Sequence, residues 1–128
     1  MNGKRPTATE LAILAILWDR GSATVREVHE VLGADRNIGY TGVLKLLQIM
    51  TAKGLVLVNK EERSHVYRAK EPAETTKRKA VGDIIWRLFS GSPGQLVLHA
   101  LQAEVPSDEE IAEIRQLLDE YERKSKGQ

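Results

Sequence analysis

The sequence predicts a mainly α-helical fold with a small β wing, made of a winged helix-turn-helix domain (residues 1–71) and a three-helix dimerisation domain (residues 72–128). Three observations predict this fold class. Three helical patterns of apolar residues follow one another up to residue 53. The pattern then alternates, as in β-strands, up to residue 69. After the proline at position 72, three further helical patterns complete the chain.

The first predicted helix begins at a capping box. The side chains of Thr7 and Glu10 can each satisfy a backbone N–H group that the start of a helix leaves open. Gly21 is expected to end the helix, because glycine readily adopts the left-handed conformation of a helix end. The apolar face of this helix consists of residues at helical spacing: Leu11, Leu14, Ala15, Leu17 and Trp18.

The second helix begins at an equivalent signal, a capping box formed by Thr24 and Glu27. Ala23–Val25 is compatible with a short strand just before it. We expect the helix to end after about two turns at Gly33, and the polar sequence GADRN then to separate it from the third helix. Its apolar face consists of Val25, Val28, Val31 and Leu32.

The third helix is expected over residues 39–53, with Gly54 as its stop. Its body has an apolar stripe at positions i, i+3, i+4 and i+7, formed by Val43, Leu46, Leu47 and Met50. Its first turn, which contains Gly39, Tyr40 and Thr41, has no aliphatic anchor. The body therefore faces a core, while the first turn and the outward face are open to a partner.

The wing is predicted from the sequence LVLVNKEERSHVYRA at 55–69, which reads as two strands around a charged turn. The turn has no glycine, so we expect a loop of several residues rather than a tight two-residue turn.

The C-terminal region is expected to form three helices. The first covers about 73–90, after a boundary at Glu71–Pro72. Ser92 and Pro93 supply the N-cap and first position of the second, which Pro106 ends. A capping box of Ser107 and Glu110 opens the third, which runs to about residue 123 and leaves a frayed tail, KSKGQ.

Charge is distributed unevenly along the chain, although the net charge is only +1. Residues 36–70 contain 7 basic and 2 acidic residues, whereas residues 72–128 contain 8 basic and 10 acidic residues. A basic middle favours an anionic partner for the first domain; an ordinary solvated surface is the alternative.

The sequence also excludes or disfavours several classes of protein. There are no cysteines, which excludes disulfides, thiolate metal sites and cysteine nucleophiles. No apolar run approaches the length that spans a bilayer, and the first residues lack the apolar segment of a signal peptide. We therefore expect a cytoplasmic protein that does not insert into membranes. The three histidines lack metal-ligand spacing, and no catalytic site or cofactor motif is present, so we expect no enzyme activity and no cofactor.

The predicted arrangement indicates double-stranded DNA as the partner, because a helix presented in this way fits the major groove and a hairpin can follow the phosphate backbone. Two alternatives stay open at this point: a winged-helix protein-interaction module without DNA binding, and a small-molecule-responsive regulator. The predicted DNA-binding residues are Arg36, Asn37, Gly39, Tyr40, Thr41, Lys45, Gln48, Lys60, Arg63 and His65.

A homodimer is predicted from the last three helices. The final helix has apolar residues at heptad-like spacing, and three short helices bury little surface by themselves. Packing of these helices onto the same chain is the alternative. The predicted interface residues are Ile84, Leu88, Leu96, Ile111, Ile114, Leu118 and Tyr121. Trp18 and Trp86 are expected to anchor a core or an interface.

Taken in order, four stretches resemble the BlaI/MecI/CopY penicillinase-repressor family of transcriptional regulators. They are ATELAILAILWDRGSATVREVHEVL, IGYTGVLKLLQIMTAKGLV with its Y-T-x-V-L and K-G-L-V runs, HVYRA, and RLFSGSPGQLVLHAL. The resemblance covers nearly the whole chain. It implies a homodimeric repressor that occludes a near-palindromic operator and is derepressed when a membrane sensor metalloprotease cleaves its C-terminal domain.

The chain departs from the family pattern at several positions. Gly42 and Lys45 stand where many members have threonine, and Ile49 stands where many have arginine. The family's scissile Asn–Phe pair corresponds to His99 and Ala100, so we expect cleavage in this region and leave the specific bond open. The cysteine cluster of the copper-responsive branch is missing, and copper sensing of that kind is not expected.

Overall fold

A computed structural model describes residues 5–127 of the chain. Within them the elements follow in the order α1 (Ala8–Arg20), β1 (Ala23–Thr24), α2 (Val25–Arg36), α3 (Tyr40–Lys53), β2 (Val56–Asn59), β3 (Val66–Ala69), α4 (Ala73–Leu88), α5 (Pro93–Ala103) and α6 (Asp108–Lys126). Three helices, a small sheet and three further helices confirm the predicted fold class, a winged helix-turn-helix followed by a helical region.

The chain divides into two compact units, Met1–Ala80 and Val81–Gln128. The first contains the winged helix and the first two turns of α4. The second contains the rest of α4 together with α5 and α6. The assignment of residues 1–71 to DNA binding and of residues 72–128 to dimerisation stays a prediction.

The core of the first unit lies between the three N-terminal helices and the sheet. The strands pair antiparallel in the order β1-β3-β2, with Ala23 opposite Tyr67 and Val58 opposite the same residue on the other side. Alternation along β2 and β3 places Val56 and Tyr67 inward and Leu57 and Arg68 outward. The buried apolar residues are Ile13, Leu14, Leu17, Ala23, Val25, Val28, Leu32, Val43, Leu47, Met50, Val56 and Tyr67.

The capping boxes predicted for α1 and α2 are both present. The backbone N–H of Glu10 donates to the Thr7 hydroxyl over 3.2 Å, and the N–H of Thr7 donates to the Glu10 carboxylate over 2.9 Å. Thr24 and Glu27 exchange the same two hydrogen bonds. These reciprocal bonds set where each helix begins, which is why the sequence located both starts correctly.

The predicted end of α2 at Gly33 is wrong. The helix continues to Arg36 and ends at Asn37, whose φ of 53° is left-handed and whose N–H donates to the carbonyl of Gly33 over 2.9 Å. Asparagine tolerates this conformation better than most residues with a side chain. Gly33 is needed for space instead. A Cβ there would lie 2.7 Å from Cδ2 of His29 and 2.9 Å from the carbonyl oxygen of Ile38.

Replacing Gly33 by alanine should therefore destabilise the protein, although alanine is the better helix former. The gain in helix propensity is about 1 kcal/mol. The overlap with a backbone carbonyl should cost more, giving a net loss of about 1–2 kcal/mol in the free energy of unfolding. Gly82→Ala in α4 is the matched control, because nothing lies within 4 Å of a Cβ at that position. Urea unfolding should rank Gly33→Ala below wild type and Gly82→Ala at or above it. The reverse order would contradict the packing role of Gly33.

The wing is a hairpin of β2 and β3 joined by residues 60–65, as the absence of glycine in the turn predicted. The Asn59 carboxamide oxygen accepts the backbone N–H of Glu61 over 2.9 Å and so fixes the first bend of the loop. After β3, the carbonyl of Glu71 accepts the indole N–H of Trp18 over 3.0 Å. This bond ties the segment after β3 to α1, and it confirms Trp18 as an anchor.

The second unit has helices but no core of its own. Ser92 caps α5 with Pro93 at its first position, and Ser107 and Glu110 form the predicted capping box of α6. Yet none of the described residues 81–127 is buried. Trp86, which the sequence placed in a core or an interface, is not in a core, since 75% of it is exposed.

The predicted end of the last helix is also wrong. α6 continues through Lys124 to Lys126 rather than ending near residue 123. Three acidic residues in its first turn and three basic residues in its last favour the helix dipole, which supports a helix of this length. Gln128 lies outside the described residues.

Candidate nucleic-acid interface

α3 has one buried face and one exposed polar face. Val43, Leu47 and Met50 are fully buried. On the opposite side Thr41, Lys45 and Gln48 follow one another at spacings of four and three residues, so they share one face, and all three are exposed. The structure thus brings together on one surface three of the residues predicted to contact DNA. These side chains are available to a partner, because only the opposite face of α3 packs into the core.

The start of α3 differs from those of α1, α2, α5 and α6. α1, α2, α5 and α6 each begin at a Ser or Thr whose hydroxyl accepts a backbone N–H group. α3 begins at Gly39, which provides no side-chain acceptor. The N–H groups of a helix's first turn have no intrahelical partner and lie at the positive end of the helix dipole. This end of α3 is therefore suited to an anionic group, and a Cβ at Gly39 would meet nothing within 4 Å.

Gly42 has a different reason to be small. A Cβ at this position would lie 2.9 Å from Cγ2 of Ile38, one turn earlier. The chain's own packing therefore requires a small residue at Gly42, whereas Gly39 leaves open space for a partner.

The side chain of Tyr40 contacts a neighbour on α2. Its ring meets the ring of His29 on α2 edge to face, with centroids 6.3 Å apart and planes at 76°. Burial, and then the nearby phenol of Tyr40, raises the pKa of Tyr67 above its ordinary value. About half of Tyr40 stays exposed. The sequence gave no sign of this contact, because the two residues are on different helices.

The turn between α2 and α3 exposes Arg36 and Asn37. Both were predicted to contact DNA. The left-handed backbone of Asn37 adds a role that the sequence did not predict, because this residue also ends α2. The turn leads directly through Ile38 to the uncapped start of α3.

A buried ion pair fixes the other end of α3. The Lys53 ammonium lies 2.8 Å from the Glu10 carboxylate, and their side chains are only 19% and 2% exposed. The same ammonium donates to the carbonyl of Arg5 over 3.4 Å. The pair joins the last turn of α3 to the first turn of α1, so Lys53 belongs to the framework rather than to the exposed basic surface.

The wing places Lys60, Arg63 and His65 in solvent, as predicted. Glu61 and Glu62 lie between them, so the four residues 60–63 have two charges of each sign. Within residues 5–127, neither Lys45 nor Arg63 is among the cations that form ion pairs. Their charges are thus not neutralised by a described carboxylate.

The residues predicted for a dimer interface lie in α4, α5 and α6. All of them are at least partly exposed. Ile84, Leu88, Ile111, Leu118 and Tyr121 are exposed, and Leu96 and Ile114 are intermediate. His99 and Ala100, in the predicted cleavage region, are exposed on α5. The ring of His99 contacts Phe89 with centroids 5.2 Å apart, and its Nδ1 lies 2.9 Å from the carbonyl oxygen of Gln95.

The described residues also bear on membrane insertion and on metal binding. Between residues 5 and 127, no helix combines the length and apolar character that crossing a membrane requires. In the same part of the chain, no three His, Asp or Glu side chains are grouped so that they could hold a metal ion.

Comparison with known proteins finds penicillinase repressors and a BlaI regulator among the similar proteins. A family model described as penicillinase repressor matches residues 6–120. The transcriptional regulator BlaI of Mycobacterium tuberculosis is 44% identical over 59 residues, which cover 45% of this chain and 43% of that protein. The chain thus matches less than half the length of this relative. The penicillinase repressor of Bacillus licheniformis is 25% identical over 117 residues, which cover 91% of each chain.

One solved structure is also similar. It is the homodimeric winged helix-turn-helix DNA-binding domain of a possible ArsR-family transcriptional regulator from Mycobacterium bovis. The sequence identity is 24% and the TM-score 0.47, over 61% of this chain and 70% of that one.

Proposed function

Because the chain belongs to the penicillinase repressor family, we propose that it is a homodimeric transcriptional repressor that binds double-stranded operator DNA through α3 and the wing. The observation that carries the proposal is the exposed face of α3. This helix has three polar side chains on its outward face and an uncapped N-terminus, while its opposite face is fully buried. The function is regulatory rather than enzymatic.

The outward face of α3 enters the major groove, which is about 12 Å wide and admits one α-helix. Lys45 and Gln48 then reach base edges or phosphates. Lysine favours guanine O6 and N7, and glutamine pairs with the N6 and N7 of adenine. Thr41 and the open N–H groups at Gly39 meet a phosphate at the groove's edge, as helix N-termini do with anions.

The wing follows the phosphate backbone beside the groove. Lys60, Arg63 and His65 supply the contacts, and these contacts add affinity without reading sequence. Glu61 and Glu62 weaken the field at the wing tip, so the wing contributes less to binding than α3 does.

Replacing Lys45 or Arg63 by alanine should each weaken DNA binding and reduce its salt dependence. Each lost phosphate contact lowers the slope of log K against log salt concentration by about one unit. Lys126→Ala, a charge removed from the exposed end of α6, is the matched control and should leave the slope unchanged. The measurement is fluorescence anisotropy across a salt series. A slope for Lys45→Ala equal to that of the control would contradict a phosphate contact for Lys45.

The second copy of the chain covers the apolar surface of the second unit. The described residues 81–127 have no buried side chain and expose Leu88, Leu118 and Tyr121. A region with so little core cannot hold its own helices together, so it needs a partner surface. A two-fold dimer presents two copies of α3 about one or two DNA turns apart and matches a near-palindromic operator. Bound there, it blocks the promoter sterically.

Derepression occurs by proteolysis in the second unit, by a membrane sensor metalloprotease that cuts in the region of His99 and Ala100. The family resemblance motivates this proposal. One feature supports it: both residues are exposed on α5 in the single chain. Mass spectrometry of the chain from induced and uninduced cells would locate the cut bond, and an intact chain after induction would contradict proteolysis.

The second candidate function is a protein-interaction module without DNA binding. The observation that favours it is the balanced charge of residues 60–63, which attracts polyanions less than a wholly basic wing would. The salt series separates the two candidates, because a protein-interaction module has no preference for its own promoter DNA.

A further inference from the structure

The contact between His29 and Tyr40 is the feature of the first unit that the proposed function does not explain. His29 lies on α2, outside the set of residues predicted to contact DNA, and it is half-buried. Its ring lies where a side chain at Gly33 would be, since a Cβ there would be 2.7 and 2.8 Å from two atoms of the imidazole. The glycine thus makes the space that the ring occupies.

From that position the ring of His29 reaches the head of α3. It meets Tyr40, the first residue of the helix, edge to face at 6.3 Å. The side chain of Tyr40 is therefore in contact with α2, while about half of it faces solvent beside the uncapped helix start.

We propose that His29 is a positioning residue for DNA recognition, because its ring, seated over Gly33, holds the side chain of Tyr40 in the orientation in which it meets DNA. The inference rests on the proposed function. Its physical basis is preorganisation: a tyrosine already fixed in its bound rotamer loses less conformational entropy on binding than a freely rotating one. His29 acts through Tyr40 and does not itself contact DNA.

A direct contact between His29 and a phosphate is the competing role. The two roles predict different effects for substitutions of His29. Phenylalanine keeps an aromatic edge against Tyr40 but cannot contact a phosphate, whereas alanine removes both interactions. They also differ in salt dependence, because only a phosphate contact contributes to the slope.

The test is anisotropy with the protein's own upstream DNA, for wild type, His29→Ala, His29→Phe, Tyr40→Ala and the double variant His29→Ala/Tyr40→Ala. Wild type is measured first against scrambled DNA of equal length. His29→Ala should then bind about 3- to 10-fold more weakly, the range that one edge-to-face ring pair represents. Its salt slope should equal that of wild type, and His29→Phe should bind within about twofold of wild type. In the Tyr40→Ala background, His29→Ala should have no further effect, as expected when one residue acts through the other.

Four results would overturn the role of His29. They are wild-type affinity for His29→Ala, equal loss for His29→Phe and His29→Ala, an undiminished effect of His29→Ala in the Tyr40→Ala background, and a slope lowered by about two units, one for each protomer. Circular dichroism checks the fold of each variant. If His29→Ala does not fold, His29→Leu replaces it and must bind more weakly than His29→Phe. Wild type that does not prefer its own DNA would overturn the proposed function, and this role with it, whereas normal wild-type binding with an inert His29 would overturn the role alone.

Discussion

Lys53→Met should lower the free energy of unfolding by about 3–5 kcal/mol, the usual cost of removing one partner from a buried ion pair. The carboxylate of Glu10 is 2% exposed and lies 2.8 Å from the Lys53 ammonium. Without that cation, the folded protein must keep a buried charge that is stabilised by little more than the N–H of Thr7. Methionine keeps most of the volume of the lysine stem, so the loss reports on charge rather than on packing. Urea unfolding at neutral pH and fixed protein concentration measures it.

Two further variants make this result specific. Lys79→Met removes a cation from the exposed pair with Glu71, in which the lysine side chain is 70% exposed, and should cost at most about 1 kcal/mol. Lys53→Met/Glu10→Gln removes both charges but keeps a side-chain acceptor for the capping box, and should recover most of the stability. Equal losses for Lys53→Met and Lys79→Met would show that the pair does not fix α3 to α1.

Leu118→Asp should convert the protein to a monomer at micromolar concentration. In the single chain 54% of Leu118 is exposed, so an aspartate there costs the isolated protomer little. In the proposed dimer the same position lies on the heptad-like stripe and would bury one carboxylate from each copy. Loss of the dimer also separates the two copies of α3, so affinity for the operator should fall about 100-fold or more.

Gln116→Asp is the matched control for Leu118→Asp. It introduces the same charge on the same helix, at the heptad position that faces away from the stripe, and should leave the dimer intact. Sedimentation velocity measures the oligomeric state, and anisotropy measures affinity. If Leu118→Asp sediments as a dimer at micromolar concentration, α6 does not form the interface through this stripe.

Local signals allowed much of the fold to be predicted from the sequence. The starts of α1, α2 and α6 follow from capping boxes, in which the two partners are three residues apart. The faces of α3 follow from the helical period, so the burial of Val43 and the exposure of Lys45 could both be predicted. Such features depend on near neighbours along the chain, and this is the information that a single sequence contains.

Features that depend on distant neighbours could not be predicted. Gly33 looked like a helix end, but its role is set by His29 and by the carbonyl of Ile38, and Asn37 ends the helix instead. The pairing of Glu10 with Lys53 joins residues 43 positions apart, and nothing local marks it.

The candidate interface shows the same division. The outward residues of α3 and the wing were identified by period and charge. The contact that orders Tyr40 depends on how α2 packs against α3, and therefore only the structure reveals it.

The central claim, sequence-specific DNA binding, is tested most directly by anisotropy of the purified protein on its own upstream DNA, across a salt series, against scrambled DNA of equal length. The protein should bind its own DNA more tightly, and log K should fall against log salt concentration with a slope of about −5, as expected if Lys45, Lys60 and Arg63 of both protomers each contact a phosphate. Equally weak binding to both duplexes, with a shallow slope, would contradict the repressor function and favour the protein-interaction module.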